Sequence, residues 1–265
     1  MSEERVRVER EGGVARVTLN RPDKRNGLDL AMFEGLIAAG EALAEDRSVR
    51  AVVLSGEGKA FCAGLDFASF MAAGDVGPKL LRRPEGKPDN IAQRLAWVWR
   101  EVPVPVIAAV HGVAFGGGLQ LALGADLRYV RPDARLSVME IEWGLIPDMG
   151  ATQTLLGLVP PDVAKELTFT GRVVLGDEAV RLGLATRAVE DPLAEALSTA
   201  RVIAQKSPHA IRAGKALLEG ARSMSVKESF LLETELQLGL LGTPNQLEAV
   251  QARMTKRAPA FSDPD

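Results

Sequence analysis

Cysteine, histidine and long apolar runs are all scarce in this chain, and each scarcity closes off a class of chemistry. Cys62 is the one cysteine in 265 residues. An intramolecular disulfide is therefore impossible, and a reducing compartment fits best. Two histidines, His111 and His209, beside that cysteine leave no set of residues for a His/Cys metal site, so no metal is expected. No apolar window reaches the length of a membrane span. The segment Met1-Ser2-Glu3-Glu4-Arg5 is charged where a secretion signal would be apolar. A cytoplasmic protein with no membrane partner is expected. Charge of one sign is lacking too: the formal balance is −3. Without a basic field to meet a phosphate backbone, nucleic acid is not an expected partner.

What is present is an ordinary globular mixture, 46% hydrophobic and 25% charged, which argues for a packed chain apart from the first few residues and the tail, residues 260–265. Val6–Glu9 and Val14–Leu19 alternate apolar and polar side chains as half-buried strands do, and Gly12-Gly13 between them predicts a hairpin turn. Leu30–Ala44 has helical spacing at Met32, Leu36, Ala39 and Leu43. Val52–Leu54, Val106–Val110 and Leu127–Val130 are short apolar runs of the kind found in fully buried strands. Between Asp66 and Asn90 glycines and prolines interrupt the pattern, which reads either as an irregular, mobile segment able to cover a pocket or as a solvated excursion with no role. From about residue 191 the chain turns helical. Asp191-Pro192 and Ser207-Pro208 read as helix starts, and Val226–Leu241 and Gln246–Met254 as further helices. Phe230, Leu231, Leu236 and Leu238 give this region more apolar surface than an exposed helix should carry, so it needs a partner. Two regions are expected: a core over residues 1–190 and a helical region over residues 191–265.

Two segments share a layout of buried strand, small residues and helix start. One runs from Val52-Val53-Leu54 to Phe61-Cys62-Ala63-Gly64-Leu65-Asp66. The other runs from Val106–Val110 to His111-Gly112-Val113-Ala114-Phe115-Gly116-Gly117-Gly118-Leu119-Gln120. Small residues let a ligand approach the backbone, and a helix start leaves N–H groups without intrahelical acceptors. Two such groups converging on one oxygen make an oxyanion hole. Competing motifs fail: the triple glycine lacks the third position of a dinucleotide fingerprint, Gly58-Lys59 is not a P-loop, and there is no Gly-x-Ser-x-Gly.

These two segments resemble the paired signatures of the crotonase (enoyl-CoA hydratase/isomerase) family. So do Asn20-Arg21-Pro22, Gly144-Leu145-Ile146-Pro147, Thr170-Gly171 and Lys256-Arg257-Ala258-Pro259, in this order from about residue 5 to 261. The resemblance implies an α/β fold, a spiral of β-β-α units followed by a helical region that assembles trimers or hexamers. It implies an acyl-CoA substrate, with CoA arriving as part of the substrate and no other cofactor. By resemblance the hole donors are the N–H groups of Ala63 and Gly117, with Gly64, Leu65, Asp66 and Gly116 around the thioester.

A thioester that loses an α-proton becomes an enolate, which the hole stabilises, and a half-buried carboxylate is the natural proton acceptor. In family hydratases two glutamates share a water; one matches Glu140, while the other position holds Gln120, whose amide takes no proton. Asp148 follows Glu140 by eight residues, an arrangement that partly resembles the dienoyl-CoA isomerase branch. Two carboxylates with separated pKa values act as acid and base. Asp148 also stands where a helix N-cap would. Trp143, between the two carboxylates, is expected to line the acyl pocket, and Lys24, Arg25 and Lys256 to meet CoA phosphates. The expected activity is double-bond isomerisation by proton transfer. The alternatives are hydration by Glu140 with a water oriented by Gln120, and a non-catalytic acyl-CoA-binding or RNA-associated protein.

Overall fold

The structure is a computed structural model and describes residues 4–74 and 76–264. Among these residues the strands are β1 (Val6–Glu11), β2 (Val14–Leu19), β3 (Ala51–Gly56), β4 (Val106–Val110), β5 (Val113–Phe115), β6 (Leu127–Val130), β7 (Arg135–Ser137), β8 (Val174–Leu175) and β9 (Arg187–Ala188). The helices of the first half are α1 (Leu30–Glu45), α2 (Phe67–Ala73), α3 (Val76–Leu81), α4 (Ile91–Glu101) and α5 (Gly117–Leu123). Those of the second half are α6 (Ala151–Thr154), α7 (Pro161–Thr170), α8 (Gly176–Leu182), α9 (Pro192–Ala204), α10 (Pro208–Gly220), α11 (Val226–Leu240) and α12 (Pro244–Met254).

The expected hairpin forms, with Gly12 and Gly13 both at positive φ, as the tight turn requires. Beyond it the main sheet is parallel, in the order β1-β2-β3-β4-β6-β9. A second sheet runs β5-β7-β8. Successive turns of the chain place one strand in each sheet: β4 then β5, closed by α5, and β6 then β7. This is the spiral of β-β-α units. Because β3 and β4 are covered on both faces, their side chains are apolar without alternation. Val52, Leu54, Val106 and Ala108 face a core shared with Leu36, Leu95 and Trp99 of α1 and α4. Val53, Ile107 and Ala109 face Ala196, Ala200 and Ala204 of α9. The alanine stripe lets α9 lie close against the sheet, so a helix beyond residue 190 completes the packing of the spiral. Asp191 caps it by accepting the Ala194 N–H at 3.0 Å, with Pro192 in the first turn.

Two expectations change. The segment between Asp66 and Asn90 is not irregular throughout: α2 and α3 form there, started by the Asp66 cap, and Asn90 opens α4 with a capping box. The tail, expected to be loose, is pinned through residue 263. Arg50 pairs with Asp263 at 2.7 Å and donates to the Phe261 carbonyl, and buried Asn245 donates to the Ser262 carbonyl at 2.8 Å. Composition alone cannot register such ties, because they depend on which side chains lie opposite.

The helices after α9 are apolar on the outside, as their sequence suggests. Phe230, Leu231, Leu238, Leu247 and Met254 are all more than half exposed, and α11 buries none of its residues. No described helix is long and apolar enough to cross a membrane.

Candidate active site

The site forms where the two glycine-containing turns meet. Cys62 N–H donates to the Val113 carbonyl and Phe115 N–H to the Cys62 carbonyl, so the two turns are stitched side by side. A Cβ on Gly64 would come within 2.6 Å of the Phe115 carbonyl, and its φ of +88° strains any other residue. That contact brings residues 64–65 to the start of α5. Gly117 opens α5, so its N–H has no intrahelical acceptor.

The partner of Gly117 is not the one expected. Ala63 lines the cavity, yet its N–H donates to the Arg25 carbonyl at 2.9 Å and has no hydrogen to offer a ligand. Leu28 bridges in parallel to Leu65, donating to the Gly64 carbonyl and accepting from the Asp66 N–H. In such a pairing the residue between turns its own N–H away. Leu65 N–H accordingly has no acceptor among the described residues, and it, rather than Ala63, is the free donor beside Gly117. The Phe61–Asp66 motif marked the right segment, but which N–H stays free depends on a bridge to Leu28, distant in sequence.

The cavity in front of these groups measures about 550 Å³. Phe33, Phe67, Phe70, Leu80, Leu81 and Ala92 form its apolar wall, drawn from α1 to α4, and Trp143 stacks on Phe67 at 4.2 Å between ring centroids. Gly64, Leu65, Gly116, Gly117, Trp143, Glu140 and Asp148 all line it. The interrupted segment does cover a pocket.

Glu140 opens a single helical turn, Glu140–Trp143, at the end of β7. Burial pushes its carboxyl above the ordinary glutamate value, and the charge of Asp148 adds to the rise. Its Oε1 accepts from Gln120 Nε2 at 2.6 Å, while its Oε2 is buried without a partner. Burial also raises Asp148. Asp148 is not a helix cap: α6 starts at Ala151 after Gly150, with no side-chain cap. Neither carboxylate has a cation within ion-pair distance among the described residues, so burial is not offset by a salt bridge.

Other expected site residues stand apart from the cavity. Gln120 is 2% exposed and lies behind the wall, its Oε1 accepting the Met149 N–H at 2.8 Å. With its oxygen and one N–H spent on protein groups, it is poorly placed to orient a water. Asp66 caps α2 and pairs with Arg21 at 2.7 Å. The Ser69 hydroxyl, ahead of Arg21, holds its carboxyl down to about 2. Arg25 and Lys256 are exposed, sit in left-handed turns and do not line the cavity. Cys62 is fully buried and its thiol is pushed up to about 12, which suits packing and not nucleophilic attack. His111 reaches the Gly58 carbonyl at 2.9 Å, outside the cavity.

A spiral of two sheets with free N–H groups at a helix start, facing buried carboxylates, defines a class of proteins that stabilise a carbonyl-derived anion. Comparison gives that class its family. The family model described as enoyl-CoA hydratase/isomerase matches residues 9–264, and the chain belongs to this family, within the crotonase superfamily. It is 35% identical over 262 residues to the mitochondrial Delta(3,5)-Delta(2,4)-dienoyl-CoA isomerase of Mus musculus, covering 92% of this chain and 77% of the relative. It is 34% identical over 259 residues to the mitochondrial enoyl-CoA hydratase domain-containing protein 2 of the same organism, covering 94% and 84%. The crystal structure of enoyl-CoA hydratase from Bacillus anthracis superposes with a TM-score of 0.89 at 30% identity, over 97% of this chain and 98% of that one.

Proposed function

We propose that this protein is an acyl-CoA double-bond isomerase. The thioester carbonyl accepts from Leu65 N–H and Gly117 N–H. Glu140 removes a proton from carbon, and the C–H electron pair stays with the thioester as an enolate. Asp148 is the second acid/base, so that a proton is delivered to a different carbon. One observation carries this reading: two carboxylates, both raised by burial and neither ion-paired, face the same apolar cavity as the two free N–H groups. A carboxyl whose burial raises its proton affinity is better matched to taking and returning a proton than a fully solvated one. The likeness to a relative named dienoyl-CoA isomerase points the same way.

Hydration is the second reading, favoured by solved relatives named hydratases. Against it stands Gln120, an amide turned away from the cavity at the position where hydratases of the family hold a second carboxylate. The deciding experiment supplies 2-enoyl-, 3-enoyl- and 3,5-dienoyl-CoA in turn and identifies the products. A moved double bond with no added water supports the proposal; rapid 3-hydroxyacyl-CoA formation from the 2-enoyl substrate overturns it. The apolar outer faces of α11 and α12 fit burial between subunits, and sedimentation at micromolar concentration is expected to show a trimer or hexamer.

A further inference from the structure

Gln120 is the one fully buried amide at this site, and its two ends join the two carboxylate-bearing segments. Its Oε1 accepts from the Met149 N–H, next to Asp148, at 2.8 Å, and its Nε2 donates to Glu140 Oε1 at 2.6 Å. The orientation of the amide is set by chemistry: a backbone N–H only donates, so the amide oxygen must face Met149 and the amino group must face Glu140. Among the described side chains Gln120 is the only one that hydrogen-bonds Glu140. Besides Gln120, the one stabilising contact on the Glu140 carboxylate is its own backbone N–H, and no cation is paired with it among the described residues. From α5 comes Gln120 itself and from the cavity wall the like-charged Asp148, while Glu166 of α7 is exposed and pairs with Arg172. Glu142, in the same turn, approaches Gly171 on the far side. The Cα of Gly116 packs beside Glu140, where a Cβ would stand 3.4 Å from Oε1, so the carboxylate is seated against the start of α5.

We infer that Gln120 is a positioning residue: its amide holds the Glu140 carboxylate, in its ionised form, at a set place relative to Asp148 and to the start of α5. This rests on the reading of Glu140 as the base. A buried carboxylate with no cation and one empty oxygen stays ionised only where donors face it, and Gln120 supplies the side-chain donor beside the carboxylate's own backbone N–H. It does so without titrating. A proton taken from carbon by Glu140 therefore cannot pass to position 120, and the other carboxyl at the cavity to which it can pass is Asp148. An amide at this position suits a reaction that moves protons between carbons better than a carboxyl would.

Two variants separate this role from simple packing. Gln120→Glu keeps an acceptor for Met149 N–H but puts a second carboxyl against Glu140, so the pair must share a proton. Gln120→Met keeps the volume and removes both hydrogen bonds. The readouts are the acid limb of kcat/KM against pH and, without substrate, the infrared titration of the Glu140 carboxyl, assigned as the band missing from Glu140→Gln. Both variants are expected to move the limb and the infrared midpoint up together by at least one pH unit, leaving about tenfold less ionised Glu140 on the limb, with KM within a few-fold. The larger move is expected for Gln120→Glu. A limb and midpoint unmoved in folded Gln120→Glu overturn the inference, and that variant decides the matter if Gln120→Met does not fold. Turnover surviving in Glu140→Gln would instead overturn the assignment of the base. Inactive Glu140→Gln with an unmoved Gln120→Glu profile removes only the role of Gln120.

Discussion

Two acidic groups in this protein are buried in opposite ways. Asp126, half-buried between α5 and β6, is paired: its Oδ2 accepts the Val106 N–H at 2.7 Å and the Lys215 ammonium at 2.7 Å. Lys215 in turn donates to the Trp99 and Val104 carbonyls, so α10 is fastened to the spiral through a buried, satisfied network. Glu140 receives one side-chain hydrogen bond, keeps an unpartnered buried oxygen and has a like charge nearby. On the proposed function, the difference separates a carboxylate that holds structure from one kept available for protons. Completing the partners of a buried charge fixes it in one state; leaving them incomplete keeps two states close in free energy.

The sharpest way to break that contrast is at Glu140. Glu140→Gln is expected to lower kcat by about 10³-fold or more while acyl-CoA binding, measured calorimetrically, stays within a few-fold, because shape is kept and proton acceptance lost. Near-normal turnover would remove the distinction altogether. On the structural side, Lys215→Met strands Asp126 next to a apolar stem and is expected to cost about 3 kcal/mol in urea unfolding, with the acyl-CoA affinity of the folded fraction unchanged. A loss below about 1 kcal/mol would show that the network holds less than its geometry suggests.

Asp148 tests the functional side more finely. Asp148→Asn is expected to reduce isomerisation by about 10²-fold and to leave Tm nearly unchanged, since Asp148 caps no helix. A fall in Tm with activity intact would make it a structural residue like Asp126. The smallest effect is in stability against pH. A carboxyl raised in the folded state favours folding below its unfolded pKa, and that contribution is lost as pH rises through the folded pKa. Wild-type stability relative to Glu140→Gln should therefore be greatest in acid and decline from the ordinary glutamate value upward. A difference that stays flat across this window would contradict the burial of the charge.

Much of this was legible in the residues. The continuous apolar runs of β3 and β4 already required a sheet covered on both faces, and Asp191-Pro192 marked the start of α9. Gly64 and Gly116 marked the two turns: both stand at positive φ, and at Gly64 a Cβ would also meet the Phe115 carbonyl. Glu140 and Asp148 were marked by the resemblance to the family's motifs, and both line the cavity. For the segment between Asp66 and Asn90 the residues leave a pocket cover and a solvated excursion both open; the structure places α2 and α3 along the cavity, and helices this short leave little periodicity to detect.

The local sequence by itself determined the elements, the turns and the residue types at the site, because propensity, patterning and glycine stereochemistry act over a few neighbouring residues. Only the tertiary structure decided which backbone N–H is free, which carboxylates have partners and which cations reach the cavity. Ala63 is spent on Arg25, and Leu65 is freed by its bridge to Leu28. Gln120 is turned from a pocket residue into a clamp by Met149, 29 positions away. The tail is held by Arg50 and Asn245. Hydrogen-bond partners are chosen by proximity in space, and each N–H or carboxylate oxygen satisfied by a distant residue is one fewer left for a ligand.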